Sequence, residues 1–167
     1  MELKFDVDMS VKDMYKFLLN NTYRKLTGII WIIFSLVVIG VTIYTWGDVQ
    51  IMNSVLMILL ASLYTVINPL MLYLKARKQV NGNDFFNKTL HYSVNDKGIE
   101  VSQNEEKSFV KWNEMWKIVR YGSQVIVYVT TIRAFVWPIE SIGENYDSLV
   151  ELADNKLGSR CHLRKKN

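Results

Sequence analysis

Cysteine, histidine and proline are nearly missing from this chain. Its 167 residues include one cysteine, Cys161, two histidines and two prolines. A single thiol excludes an internal disulfide, which accords with a cytoplasmic setting. It also leaves metal chemistry poorly supplied. Cys161-His162 is one Cys/His pair, with His91 the only other histidine, whereas zinc takes three or four ligands. A Cys–His nucleophilic pair needs geometry that two adjacent residues of a tail do not hold. An inert thiol is the simpler reading of Cys161, and acylation beside the basic residues is the alternative. No glycine-rich phosphate loop and no G-x-S-x-G elbow occurs in the sequence, and those are the spacings that phosphate binding and acyl transfer use. The expectation is a chain that is not an enzyme and takes neither cofactor nor metal.

Charge is the next scarcity, and it is local. Residues 26–74 contain one charged side chain, Asp48. Leu26 to Trp46 is a run of 21 uncharged residues and Ile51 to Leu74 a run of 24. A helix rising about 1.5 Å per residue covers the roughly 30 Å of bilayer hydrocarbon in 20 residues. Trp46-Gly47-Asp48-Val49-Gln50 is long enough only for a reversal, so a transmembrane helical hairpin is expected, about 26–46 and 51–74. A signal peptide fits poorly, because its apolar run is usually only about 7–15 residues. A buried soluble hairpin fits poorly too, since the remaining chain is too short to wrap it. Lys and Arg number five in residues 1–25, three in 75–78 and none in the turn. By the positive-inside rule both termini are then cytoplasmic, in a multi-pass protein of the cell membrane. Neither run holds an ionisable residue, so the usual mark of an ion pathway is missing. Asn68-Pro69 reads as a kink with Asn68 hydrogen-bonding the first span, and a hinge or polar path is the alternative reading.

The flanks carry different patterns. Leu3, Phe5 and Val7 alternate with charged residues, a half-buried strand. Ser10 to Asp13 resembles a capping box that opens an amphipathic helix, so residues 1–25 read as strand plus helix. Beyond the basic stop, six short strands are expected: Lys88–Val94, Ile99–Ser102, Ser108–Trp112, Trp116–Tyr121, Gln124–Thr130 and Ala134–Trp137. Gly98 is expected to supply a positive φ in the first turn. A closing helix runs from about Asn145 to Leu157, stopped by Gly158, and 159–167 reads as a basic tail. Residues 79–155 hold seven Lys/Arg against eleven Asp/Glu, which argues against nucleic acid as a partner.

In order, the apolar hairpin, Tyr92-Ser93-Val94-Asn95-Asp96-Lys97-Gly98-Ile99, Trp112-Asn113-Glu114-Met115 and Val136-Trp137-Pro138-Ile139 resemble the YcxB-like family of bacterial membrane proteins. The resemblance implies an α+β architecture. Residues 84–158 would form a small antiparallel barrel or bent sheet, similar to a pleckstrin-homology domain and capped by the C-terminal helix. It implies no activity. A barrel of that kind needs a seventh strand, so the strand at Leu3–Val7 is expected to join the C-terminal sheet, since an isolated strand is unstable.

Trp112, Trp116 and Trp137 are candidates for an interaction surface, with core packing as the competing reading. Arg160, Arg164, Lys165 and Lys166 are candidates for contact with anionic lipid, with a solubilising end as theirs. The expected function is a membrane-anchored module binding a protein or a lipid headgroup. The alternative is a small accessory or immunity-type subunit acting through the hairpin. The expected partners are the lipid bilayer and a membrane or cytoplasmic protein.

Overall fold

The computed structural model describes residues 2–83, 86, 88–131 and 133–164. It divides into two compact units, one formed by Met1–Asp13 with Val80–Asn167 and the other by Met14–Gln79. The first strand therefore shares a unit with the C-terminal strands, while residues 14–79 form the other unit.

Strand β1 (Glu2–Val7) pairs antiparallel with β2 (Leu90–Asn95). The register runs from Glu2 opposite Asn95 to Val7 opposite Leu90. The expected sharing of a sheet across the hairpin is therefore present. Strands β3 (Gly98–Gln103) and β4 (Glu106–Lys111) continue the meander, giving an open sheet ordered β1-β2-β3-β4. A second open sheet is ordered β7-β6-β5-β8, from β5 (Lys117–Tyr121), β6 (Gln124–Tyr128), β7 (Ala134–Pro138) and β8 (Cys161–His162). The alternation read in Leu3, Phe5 and Val7 is the burial alternation of β1, because successive side chains leave opposite faces of a strand.

The two sheets meet through aromatic rings. Phe5 stacks on Tyr92 at 5.6 Å and meets Trp137 edge-on at 5.1 Å. Tyr92 in turn meets Phe135 and Trp137 edge-on, the geometry that ring quadrupoles favour. Burial pushes the Tyr92 phenol above its ordinary pKa. Helix α5 (Ile139–Ile142) follows β7, and α6 (Tyr146–Leu157) packs Tyr146, Leu149, Val150 and Ala153 inward. It stops at Gly158, whose φ is +53°, the left-handed conformation that glycine adopts at little cost.

Gly98 differs from expectation. It does not adopt positive φ; instead a Cβ there would lie 2.2 Å from the Val110 carbonyl oxygen and 2.8 Å from the Phe109 ring. The turn is closed by Asn95, whose Oδ1 accepts the N–H groups of Lys97 and Gly98.

The other unit is helical. Helix α1 (Val11–Tyr23) starts at Ser10, whose Oγ accepts the Asp13 N–H and donates to the Asp13 carboxylate. Only its start, up to Asp13, belongs to the sheet unit. Helix α2 (Leu26–Tyr44) and the helical stretch Ile51–Asn81 are long and apolar enough to cross a membrane. On α2, Ser35 and Thr42 are buried seven residues apart; on α3 (Ile51–Ser62), Ser54 and Ala61 repeat that spacing. Small residues at this period let two apolar helices approach closely along one seam. The Thr42 hydroxyl donates to the Val38 carbonyl, so it needs no partner from outside. Away from the seam, large apolar side chains point outward: Leu26 is 73% exposed, Ile43 70% and Ile51 81%. A water-soluble monomer rarely shows apolar patches beyond a few hundred Å².

Candidate functional site

The three tryptophans have different fates. Trp137 on β7 is fully buried between the sheets, and Trp112 is 5% exposed. The Trp112 Nε1–H donates to the Asn95 carbonyl at 2.8 Å, which ties the turn after β4 to the end of β2. Both rings are structural in this conformation. Trp116, just before β5, is 47% exposed, and it alone of the three is open to a partner.

Trp116 is held from both sides. Its N–H donates to the Tyr128 carbonyl at 2.9 Å. The preceding residue, Met115, is 1% exposed, and its carbonyl accepts from the Arg160 guanidinium at 2.7 Å. The indole meets the Tyr128 ring edge-on at 5.9 Å. The Lys117 ammonium lies 4.4 Å from the Trp116 ring centroid and 5.4 Å from that of Tyr128, within cation–π range. A lysine flanked by two half-exposed rings, on a backbone pinned at successive residues, makes a preorganised surface with one positive charge.

The basic tail is not a free tail up to Arg164. Cys161–His162 forms β8, parallel to β5 with Ile118 opposite Cys161. Tyr146 donates its hydroxyl to the Arg164 carbonyl at 2.8 Å. Arg160, a candidate for lipid contact, donates a guanidinium N–H to Met115, and its effect on the surface is to fix the residue beside Trp116. The Arg164 backbone is held, and Lys165 and Lys166 lie outside the described residues. Cys161 is half-buried, and burial raises its thiol pKa.

A second polar patch covers the outer face of β1-β2-β3. His91 Nδ1 and Asp6 Oδ1 are 2.7 Å apart, Ser93 donates to Glu2 at 2.8 Å, and Thr89 donates to Asp8 at 2.6 Å. Hydrogen bonds from Ser93 and then from Lys4 hold the Glu2 carboxyl below its usual range. These groups satisfy one another across the rungs, and their work is to fix the β1–β2 register. Among the described residues no group of three or more His, Cys, Asp or Glu side chains is placed to hold a metal ion.

Inside the helical unit a polar node sits beside an apolar groove. Between α3 and α4 (Asn68–Asn81) the chain makes a π turn, Leu63–Ile67. There the Asn68 N–H donates to the Leu63 carbonyl, five residues back. The Tyr64 carbonyl, which that N–H would take in an α-helix, accepts the Tyr23 hydroxyl at 2.9 Å. Asn68 Nδ2 then donates to the Tyr23 oxygen at 3.1 Å. The expected partner of Asn68 was the first span; the observed one is the last residue of α1. Pro69 supplies the cause, since it lacks an N–H and its ring crowds the preceding turn. The groove, of about 820 Å³, is lined by residues including Trp31, Phe34, Val38, Met57, Leu60 and Tyr64.

Comparison of the chain with family models, with curated proteins and with solved structures gives no match.

Proposed function

We propose that this protein is a membrane-tethered interaction module. The hairpin α2 and α3–α4 crosses the bilayer twice, and the sheet domain presents the Trp116–Lys117–Tyr128 surface to a partner on the cytoplasmic side. The observation that carries this reading is the β1–β2 ladder, whose rungs join residues before and after the apolar segment. Strands that pair lie on one side of a membrane, so a segment inserted between them leaves and returns. The excess of Lys and Arg beside the helices, and their absence from the 46–50 turn, supports the cytoplasm as that side.

A pleckstrin-like fold and kinship with the YcxB-like family remain part of this proposal. What supports the fold is element order: a four-stranded meander, a three-stranded meander and a closing helix. The partner is a protein or an anionic lipid headgroup. Trp and Tyr anchor both kinds of contact, and Lys117 adds the charge. No cofactor or catalytic step belongs to the proposal.

The test is a photo-crosslinking residue at Lys117 in living cells, with and without Trp116→Ala. A specific adduct to one protein or to lipid that is lost with Trp116→Ala supports the reading. An adduct pattern indifferent to Trp116 defeats it. Topology is read in the same cells: Asp48→Cys should react with a membrane-impermeant maleimide from outside, and Cys161 only after permeabilisation.

The alternative, an accessory or immunity-type subunit acting through its spans, draws on the groove along the hairpin. Under that reading activity survives Trp116→Ala and is lost when Phe34 and Leu60 are both changed to tryptophan.

A further inference from the structure

The sheet unit is encoded in two pieces, Met1–Asp13 and Val80–Asn167, with the apolar hairpin between them. The first piece is not an appendage. Leu3, Phe5 and Val7 are 4%, 7% and 0% exposed, and Phe5 covers both Tyr92 and Trp137 where the sheets meet. Side-chain hydrogen bonds from Ser93 to Glu2, between His91 and Asp6, and from Thr89 to Asp8 follow the ladder on its outer face. On the free edge of β1 the Lys4 carbonyl accepts from Asn145 Nδ2 at 3.1 Å. Removing β1 would strip the cover from Tyr92 and Trp137 and bare the edge of β2.

We propose that β1 is a closing strap: it completes the sheet domain only when the pieces before and after the apolar segment lie on one side of the bilayer, so that the domain is held open for as long as that segment has crossed an odd number of times. The inference rests on the membrane-crossing reading above. Opposed residues of an antiparallel ladder have Cα atoms about 4.5–5.5 Å apart. After α2 alone has inserted, β1 and the segment that becomes β2 are separated by roughly 30 Å of hydrocarbon, and no rung can form. Once the second helix has crossed, only loop closure remains, and its cost grows just with the logarithm of loop length. Before closure the domain shows an unpaired strand edge and uncovered rings, the kind of surface that makes incompletely folded chains prone to aggregation.

The full-length chain tests this by parity. One apolar span of Leu and Ala inserted between Gly47 and Asp48 gives three crossings; two such spans joined by a polar turn give four. Two readouts are taken in opened membranes: protease cleavage within residues 90–164, and disulfide formation between Lys4→Cys and Ser93→Cys, which are rung partners, in a Cys161→Ser background. The native and four-crossing chains should resist cleavage and cross-link. The three-crossing chain should be cut at least about tenfold faster, since cleavage follows the population of the open form, and should not cross-link. Phe5→Asp in the two-crossing chain should be cut as fast with its topology unchanged, which separates loss of the strap from damage to the hairpin. Protection of the three-crossing chain, or of Phe5→Asp, overturns the inference. The membrane reading fails on a different result, an Asp48→Cys that outside maleimide does not reach.

Discussion

Gly98 shows how a residue's identity can be right for a reason other than the one its neighbours suggest. Asn-Asp-Lys-Gly is strong turn chemistry, so a positive φ was the natural expectation. The constraint is instead the close approach of the Val110 carbonyl and the Phe109 ring, both from a strand that sequence reading had placed nearby without its register. Gly98→Ala is expected to cost about 1–3 kcal/mol, as overpacking does, seen as a lower denaturation midpoint of the sheet domain. The tryptophans teach the same lesson. Period-2 alternation placed all three on or beside strands, but which face is core depends on the opposite sheet, so Trp116 could not be told from Trp137. Arg160→Ala removes the donor to Met115; at this partly exposed site a loss of about 1 kcal/mol is expected, with weakened Lys117 cross-linking as the functional readout. Cys161 has its thiol pKa raised by burial, so less of it is thiolate at a given pH. Its maleimide labelling should lag that of the denatured chain near neutrality, and raising the pH past the ordinary thiol range should narrow the gap.

At the scale of elements, the apolar spans and the six strands of the C-terminal region were legible because each rests on local periodicity. The π turn was not. Proline announced a disturbance at residue 69 but not its form, because the form depends on Tyr23, 41 residues away from the Tyr64 carbonyl it satisfies. Gly28 helps to bring that hydroxyl there: a Cβ on it would lie 2.3 Å from the Thr22 carbonyl oxygen, so the start of α2 touches the end of α1 only through glycine. Tyr23→Phe leaves the part-buried Tyr64 carbonyl without its donor, and a loss of about 1 kcal/mol is expected. Unfolding of the hairpin in detergent, followed by Trp31 fluorescence, measures it; the sheet domain should keep its protease resistance. Strand β8 was also missed, since two residues, Cys161–His162, are too few to show any period.

For the whole molecule, the hairpin and its charge bias could be read from the chain, and so could the pairing of β1 with the C-terminal sheet. The proposed parity of crossings rests on the observed register of β1 against β2. That same register has a practical corollary. Asp8 and Thr89 are hydrogen-bonded neighbours at 2.6 Å, so a two-residue Asn-Gly turn could join them and bypass everything between. Such a shortened protein should stay in the aqueous fraction after cell breakage and give a dispersed amide spectrum. A chain that pellets or shows collapsed resonances would mean that residues 9–88 do more for the domain than link its two pieces. If the short form folds, the apolar segment is an exchangeable cassette. Its only obligation to the rest of the protein is to begin and end at the same place, so hairpins of other lengths or compositions could be fitted without redesigning the sheet domain.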